Sequence, residues 1–315
     1  MSRPSIRITP IRVAIAGYGK IATDSHVPAI RANPDFDLVA VVSARGAGPG
    51  GVPVFADMAA LLASGLAVDA IAHCNTPTAR RDTAIAALRA GKHCLLEKPP
   101  AATAADWAAI AAEARAGVTL MTGWHSQANA AVDAARAWLA DKAIHSAALE
   151  WREDVRKWHP GQDWIWDEGG FGVFDPGING LSIATRVLPF ALDLVDAKLA
   201  IPANKAMPIA AALRLGASDW AGQMTAQFDW RETAGECWRL TVTTDAGVLA
   251  LEDGGTRLLI DGVAQLAHGN DEYPTLYRQF ADLVRSGGSH IDVAPLTLVN
   301  AALAQGEREL VEVFD

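Results

Sequence analysis

The chain has 315 residues, of which 50% are apolar and 20% charged, so it can bury a large core and is not expected to be disordered. Its formal net charge of −9 argues against nucleic acid or an anionic membrane surface as a partner. Its three cysteines form no Cys-x-x-Cys pair, which fits a reduced cytosolic protein better than a disulfide or zinc scaffold.

Targeting and metal-binding signals are also missing from the sequence. The first ten residues contain no continuous apolar segment, so we expect no signal peptide. No apolar run reaches the roughly 20 residues that span a bilayer. No His, Cys, Asp or Glu residues have the spacing of metal ligands, so no metal is predicted. We expect a soluble, cytoplasmic protein that binds no membrane.

A glycine turn follows the first predicted strand. Residues 12–16 are an apolar run, and residues 17–22 then have the form G-x-G-x-x-A. In this pattern Gly17 permits a tight turn, Gly19 lets the backbone approach a pyrophosphate, and small Ala22 lets the next helix pack closely. The helix N-terminus, which includes Lys20 and Ile21, offers N–H groups to phosphates. Glycines also end strands for turn geometry alone, but the position after the first strand favours dinucleotide binding.

The second predicted strand, residues 37–42, ends at a position that bears on cofactor choice. A site specific for NAD normally has an acidic residue there, which binds the ribose 2′-hydroxyl. This chain has Ser43-Ala44-Arg45 instead. A small hydroxyl followed by Arg45 suits a 2′-phosphate, so NADP is predicted to be preferred, with NAD still used. The alternative is that Arg45 is a solvated residue of the Gly/Pro-rich loop that follows.

Strands and helices alternate up to about residue 125. Because a helix is predicted between successive strands, the pattern predicts a doubly wound parallel sheet with ligands at the carboxyl ends of its strands. The predicted helices cover residues 21–31 (irregular near Pro28), 78–90 and 101–116, and the later strands 68–72, 93–96 and 118–121. Several polar segments follow these strands and are expected to converge on one cleft: Asn75-Thr76-Pro77, Glu97-Lys98 and Gly123-Trp124-His125.

The pattern changes after residue 125, which predicts a dinucleotide-binding domain over 1–125 and a second α/β domain over 126–315. Four or more alternating apolar segments between residues 191 and 266 indicate a largely antiparallel sheet. The other predicted elements are a helix to residue 141, a strand over 144–155, a Gly/Trp-rich loop over 158–172, and helices over 175–188, 273–285 and 296–311.

Two predicted positions could carry acid–base chemistry. Lys98 ends a strand and could orient a substrate hydroxyl or relay its proton, although it could also be an ordinary surface lysine. Asp175 and Asn179 lie four residues apart at a helix start and can share a face. Aspartate followed by proline is, however, also an ordinary helix N-cap. Both pairs of alternatives stay open from the sequence alone.

Ten tryptophans against three tyrosines is an unusual ratio. Indole faces can stack on the C–H faces of sugar rings, although most tryptophans are core residues. His125 could be a polar contact in the cleft or a structural histidine. The candidate stacking residues are Trp158, Trp164, Trp166 and Trp238.

These features together resemble the family of glucose–fructose oxidoreductase and inositol dehydrogenase over nearly the whole chain. The resemblance depends on residues 17–22, on Asn75-Thr76-Pro77 and above all on residues 91–99, GKHCLLEKP. It implies a Rossmann domain followed by an α/β domain whose open sheet often mediates homo-oligomerisation. It also implies that Lys98 and the helix near Asp175 flank the nicotinamide, and that the Lys98–Pro99 bond is cis.

One departure affects the catalytic base. The family commonly has D-x-x-x-H where this chain has Asp175-Pro176-Gly177-Ile178-Asn179, so the base must be Asp175 or Lys98. Residues 153–162 and 174–179 are most similar to bacterial L-arabinose/D-galactose 1-dehydrogenases, which implies oxidation of the anomeric C1–OH of a sugar to a lactone. In that assignment Asp175 is the base, and Asn179 and Lys98 orient oxygens. The implied sugar contacts are His125, Glu153, Trp158 and Trp238.

Two other functions remain compatible with the sequence. An inositol-type dehydrogenase would oxidise a ring carbon instead of C1. Some relatives of this fold bind cofactor but act as sugar sensors, and the missing histidine leaves that alternative open. The retained Lys98 and Asp175 favour catalysis.

Overall fold

A computed structural model describes residues 9–315, which form two compact units. The first contains residues 9–101, Ala105–Gly123 and Tyr273–Ile291, and the second contains Ala102–Ala104, Trp124–Glu272 and Asp292–Asp315. The division of the sequence at residue 125 does not anticipate the return of Tyr273–Ile291 to the first unit. The expectation of no signal peptide concerns residues 1–10, of which 1–8 lie outside the described residues.

The α-helices of the described chain are mostly short and alternate with strands in the first unit. They are α1 (Val27–Ala32), α2 (Met58–Ala63), α3 (Pro77–Arg89), α4 (Ala104–Ala111), α5 (Ala130–Leu139), α6 (Val155–Trp158), α7 (Phe174–Val187), α8 (Glu272–Ser286) and α9 (Ala294–Gln305). No helix from residue 9 onward is both long and apolar enough to cross a membrane.

The strands form one sheet in each unit. They are β1 (Ile11–Ala16), β2 (Phe36–Val42), β3 (Val54–Phe55), β4 (Ala70–His73), β5 (His93–Glu97), β6 (Leu120–Gly123), β7 (Ile144–Arg152), β8 (Asp193–Pro202), β9 (Ala210–Ala217), β10 (Trp220–Asp229), β11 (Cys237–Thr244), β12 (Gly247–Glu252), β13 (Arg257–Ile260), β14 (Val263–Ala267) and β15 (Glu307–Val311).

The first unit has a six-stranded, wholly parallel sheet in the order β3-β2-β1-β4-β5-β6. This is the doubly wound order of dinucleotide-binding sheets, and it confirms the predicted fold class. β1 and β4 are fully enclosed over most of their length, as the apolar runs of a parallel sheet require. Tyr273, Leu276, Tyr277 and Phe280 of α8 complete the core around β1 and α1.

The helix after the glycine turn begins irregularly, as predicted. Residues Ala22–His26 form a π-helical turn, and α1 follows with Pro28 in its first turn. Proline has no N–H to donate to the preceding turn, so the regular hydrogen-bond ladder is interrupted there.

The second unit has a nine-stranded sheet in the order β14-β13-β12-β11-β7-β10-β9-β8-β15. Its neighbours pair antiparallel except for β7 with β10 and β8 with β15, so the predicted largely antiparallel sheet is confirmed. α7 packs directly on this sheet because two of its glycines present no side chain. A Cβ on Gly177 would lie 2.6 Å from the Phe228 ring, and one on Gly180 would lie 2.6 Å from the Trp151 ring.

Two predictions for the second half of the chain were wrong. The helix predicted over 296–311 ends at Gln305, and Glu307–Val311 forms β15 beside β8. Gly306 has extended dihedral angles that end the helix and begin this strand. The predicted loop 158–172 holds a 3₁₀ turn at Asp163–Trp166, and α6 includes Trp158, the first residue of that loop.

Candidate active site

The glycine turn of the first unit has the geometry that a bound dinucleotide needs. Gly17 has a φ of +92°, and a Cβ on it would lie 2.4 Å from the Asn75 backbone nitrogen, so only glycine fits there. By contrast, a Cβ on Gly19 would meet no described heavy atom within 4 Å. The backbone at Gly19 is therefore open to the approach of a pyrophosphate. Lys20, which precedes Ile21 in the chain, forms an exposed ion pair with Asp24.

The end of β2 carries the residues predicted to select the cofactor. Ser43 is buried, and its N–H donates to the Phe55 carbonyl at 2.8 Å. Its own carbonyl accepts from the Gly46 N–H at 3.0 Å, which closes a turn with Arg45 exposed on it. No acidic residue stands between residues 43 and 46, so this turn offers a guanidinium to a 2′-phosphate and no carboxylate to a ribose hydroxyl.

The loop after β4 offers an acceptor beside the glycine turn. The Asn75 amide donates to Thr83 Oγ1 at 3.1 Å, while its buried Oδ1 has no hydrogen-bond partner among residues 9–315. Thr76 is the N-cap position of α3 and Pro77 is at its first turn. A buried acceptor without a partner is costly unless a ligand satisfies it. Together with the open backbone at Gly19, these residues fit NAD(P).

A buried network holds the strand exit that carries Lys98. Glu97 is 3% exposed, and its carboxylate accepts from the Tyr273 hydroxyl and from the Lys98 backbone N–H, each at 2.5 Å. The buried Arg80 guanidinium donates to the Glu97 and Pro99 carbonyls on either side of Lys98. The Lys98–Pro99 bond is cis, as the resemblance implies. The role of Arg80 could not be predicted from the sequence, because an arginine within a helix usually faces solvent.

His26 joins the same network from the turn before α1. Its Nε2 lies 3.3 Å from Glu97 Oε1, and its Nδ1 lies 2.8 Å from the Tyr277 hydroxyl. Burial disfavours the charged imidazole, but Cys74 and Glu97 outweigh it and raise the pKa of His26 to about 9. A protonated His26 therefore partly compensates the negative charge of Glu97, which allows this carboxylate to remain buried next to Lys98 in the chain.

In the second unit, a buried carboxylate lies among tryptophans. Glu153 is 4% exposed, and its Oε2 accepts from the Trp238 indole N–H at 2.9 Å while the Trp230 N–H lies 3.4 Å from Oε1. The Trp238 ring stacks on Trp151 at 5.9 Å and meets Trp158 at 5.5 Å. Of the predicted sugar contacts, Glu153, Trp158 and Trp238 thus lie together in this unit.

Asp175 lies in the first turn of α7 and is not its N-cap. The N-cap is Val173, and no side chain caps the helix there. Asp175 is 5% exposed, and its Oδ2 lies 3.7 Å from Nδ1 of His159. Asn179 is one turn further along the helix, and its buried Oδ1 has no hydrogen-bond partner in the described chain. The capping alternative for Asp175 is therefore excluded.

His159 was missed as a site residue. It lies between Asp175 and Glu153, with Nε2 3.8 Å from Glu153 Oε1. Its position directly after Trp158, a predicted stacking residue, was a usable signal that His159 belongs to the site. Its partners, however, come from other segments of the chain. Their meeting depends on tertiary structure.

His125 belongs to another polar cluster of the second unit. Its Nδ1 lies 3.2 Å from Glu272 Oε2, and the Ser126 hydroxyl donates to Glu272 Oε1 at 2.9 Å. Burial acts to raise the pKa of Glu272, but His125, Ser126 and Asn270 lower it below its ordinary value. A sugar contact for His125 stays a prediction. No group of three or more His, Cys, Asp or Glu side chains in the described part of the chain could hold a metal ion.

Comparison with known proteins identifies relatives over the full length. Residues 11–124 match the GFO/IDH/MocA model, described as an oxidoreductase family with an NAD-binding Rossmann fold. Galactose 1-dehydrogenase of Pseudomonas fluorescens is 44% identical over 308 residues, which are 97% of this chain and 99% of that protein. A crystal structure of a D-galactose-1-dehydrogenase protein from Rhizobium etli has a TM-score of 0.91 at 43% identity, and the match covers 98% of this chain and 99% of that one.

More distant structures share the fold alone. A 3-ketoreductase from Actinomadura kijaniata, solved with NADP and TDP-benzene, has a TM-score of 0.83 at 21% identity and matches over 96% of this chain and 100% of its own. The six-stranded sheet, the glycine turn and the full-length similarity agree with one another. The chain belongs to the GFO/IDH/MocA oxidoreductase family, with an NAD-binding Rossmann fold in its first unit.

Proposed function

We propose that this chain is an NAD(P)-dependent aldose 1-dehydrogenase that oxidises the anomeric C1–OH of D-galactose and L-arabinose to the lactone. The observation that carries the proposal is the 44% identity, over almost the whole of both chains, to a galactose 1-dehydrogenase. The buried carboxylate among indole rings supports a sugar as the substrate. We further propose that the protein works in the cytoplasm. We also propose that it forms a homo-oligomer, since strands of its nine-stranded sheet expose Val195, Val263 and Leu310.

Asp175 is the proposed base. NAD(P), when bound, supplies the hydride acceptor for C1. The Asp175 carboxylate takes the proton of the C1 hydroxyl, which the neighbouring Asn179 amide cannot do because it is not basic. Asn179 and Lys98 orient the C1 and C2 oxygens. The buried Oδ1 of Asn179, which has no partner in the described chain, suits a hydroxyl donor from the sugar.

Glu153 is the proposed reader of the ring hydroxyls. Two indole N–H groups face its carboxylate, and its remaining lone pairs can accept from sugar hydroxyls. Trp158 and Trp238 provide faces for the C–H side of the ring, and His125 is proposed as a further polar contact. D-galactose and L-arabinose, as pyranoses, share the arrangement of hydroxyls from C1 to C4. D-glucose inverts the C4 hydroxyl.

Substrate choice follows from these contacts. Inverting the C4 hydroxyl leaves a buried polar group without a partner, at a cost of about 1–3 kcal/mol. Loss of the C5 hydroxymethyl group costs a similar amount only where the pocket fits it closely. We therefore expect activity on D-galactose and L-arabinose and about tenfold or more lower kcat/KM on D-glucose. Equal kcat/KM for D-glucose and D-galactose would contradict the proposed recognition.

The experiment is a sugar panel run with purified protein and both cofactors, following reduced nicotinamide. The Arg45 turn predicts that NADP is preferred over NAD by about tenfold to a hundredfold, since charge-assisted bonds contribute about 1.5–3 kcal/mol. Arg45→Ala should remove most of that preference. A keto-sugar product would indicate an inositol-type ring-carbon oxidation, and cofactor binding without any turnover would indicate a sugar sensor.

The catalytic assignment is tested by Asp175→Asn and Lys98→Ala. Because removal of a general base commonly costs about 10²–10⁴ in rate, we expect Asp175→Asn to lose turnover by that order. Lys98→Ala should also lose turnover, because the substrate oxygens are no longer oriented. Cofactor affinity, measured by fluorescence titration, should be retained, since neither residue belongs to the glycine turn. A fully active Asp175→Asn variant would exclude Asp175 as the base.

A further inference from the structure

His159 has a position that the proposed mechanism does not yet use. Its ring nitrogens face two buried carboxylates, with Nδ1 3.7 Å from Asp175 Oδ2 and Nε2 3.8 Å from Glu153 Oε1. Nδ1 is buried and has no hydrogen-bond partner in residues 9–315. The His159 side chain as a whole is 13% exposed, so the ring is in contact with both the buried carboxylates and solvent.

The proposed reaction leaves a proton on Asp175 after each turnover. That carboxyl is 5% exposed and must lose the proton before the next sugar can react. Asn179, its neighbour on the helix, cannot receive a proton. The imidazole of His159 lies beside that carboxyl, and a neutral imidazole has a ring nitrogen with a lone pair that can accept a proton.

We infer that His159 receives the proton from Asp175 and passes it to solvent, and so restores the base. The inference rests on the proposed sugar dehydrogenase function. This transfer requires the neutral imidazole, with its lone pair on Nδ1 toward Asp175 and its hydrogen on Nε2 toward Glu153.

The proton is conserved at each step. The C1 hydroxyl O–H bond breaks and an O–H bond forms on Asp175, and the C1–H bond would break with its hydride accepted by bound NAD(P). The O–H bond on Asp175 then breaks as an N–H bond forms at Nδ1 of His159. The resulting imidazolium loses one proton to water, and proton exchange with water then returns the ring to the tautomer with its lone pair on Nδ1.

The distances suit a site without substrate. Both N···O separations exceed a hydrogen bond, and catalytic hydrogen bonds are often long in such structures and shorten in the substrate complex. The His159 ring packs against Trp230 with centroids 5.1 Å apart. This contact holds the ring beside Asp175. A small movement of either side chain would shorten the 3.7 Å separation between Nδ1 and Oδ2 to hydrogen-bond distance.

A purely structural role is the alternative, because the same ring fills space beside Trp230. His159→Gln removes the proton acceptor and keeps an amide of similar reach. We expect kcat to fall by about 10² or more, with the KM for D-galactose little changed. The solvent deuterium isotope effect on kcat should rise, and the isotope effect of sugar deuterated at C1 should fall, because proton release becomes rate-limiting.

The matched control is His145→Gln, the same substitution at an exposed histidine of β7. It should leave kcat and both isotope effects at the wild-type values. A His159→Gln variant with wild-type kcat and isotope effects would overturn the inference.

Chemical rescue covers the case in which substitution merely disturbs packing. His159→Ala should regain turnover with added imidazole but not with thiazole, which has a similar shape and is a far weaker base. Equal rescue by both compounds would mean that the ring only fills space, and the inference would fail. A different result would contradict the proposed function itself: wild-type protein that reduces neither NAD nor NADP with any sugar of the panel.

Discussion

Gly17 and Gly19 differ in what a side chain would encounter. At Gly17 the φ is +92° and the Asn75 backbone is too close for a Cβ, whereas Gly19 faces open space. We therefore expect Gly17→Ala to lower stability by about 1–3 kcal/mol and to weaken cofactor binding.

The matched variant is Gly19→Ala. It should fold as the wild type does but bind NADP at least tenfold more weakly, because its methyl group occupies the space that the pyrophosphate needs. Thermal unfolding and cofactor titration separate the two effects. Equal Tm losses in both variants would contradict this assignment of the two glycines.

Residue roles were predictable where a local motif carries them. The G-x-G-x-x-A turn and the Glu97-Lys98-Pro99 segment lie in the fold as predicted, since their geometry depends on neighbouring residues. His159 and Arg80 could not be assigned, because their partners are brought together only by the tertiary structure. The N-cap alternative for Asp175 was equally undecidable, since it depends on which residue begins α7.

At the scale of elements, α7 shows how a helix is brought against a sheet. Gly177 and Gly180 lie on its sheet side, and Asp175 and Asn179 lie on the opposite face by helical spacing. The close packing of the glycines therefore sets the depth at which the two polar side chains lie. The largely antiparallel sheet and the presence of α7 were predictable, but this packing was not.

Gly180→Ala tests that packing. Alanine favours a helix over glycine by about 1 kcal/mol, but its Cβ would lie 2.6 Å from the Trp151 ring and 2.9 Å from Leu149. Overpacking costs about 1–3 kcal/mol, so we expect a net loss of stability in urea unfolding. Turnover should fall as well, because a displaced α7 moves Asp175. A more stable Gly180→Ala variant would show that the helix gains more than the sheet contact loses.

The last strand illustrates a limit of local patterns. Residues 296–311 carry a helix-like apolar spacing, yet the helix stops at Gln305 and β15 pairs with β8. Gly306 was a usable stop signal, since glycine commonly ends helices. The pairing itself could not be foreseen, because an edge strand forms only where a partner strand has open hydrogen-bonding groups.

At the scale of the whole molecule, two fully buried histidines of the first unit respond to pH in opposite ways. His26 has its pKa raised to about 9 by Cys74 and Glu97 against the effect of burial, whereas burial and then Arg80 lower the pKa of His73 to about 3. The unfolded chain titrates both near the ordinary value of 6.5. Above pH 6.5 the folded state therefore holds an extra proton on His26, and below it the unfolded state holds an extra proton on His73.

Stability should consequently be greatest near pH 6.5 and fall on both sides. As the pH rises from 6.5 toward 9, the contribution of His26 is lost, and as the pH falls from 6.5 toward 3, that of His73 is lost. One proton corresponds to a slope of about 1.4 kcal/mol per pH unit in the free energy of unfolding. Urea unfolding from pH 5 to 9 measures both limbs. His26→Gln should flatten the alkaline limb alone and His73→Gln the acid limb alone, whereas parallel curves for wild type and His26→Gln would show that His26 holds no extra proton in the folded protein.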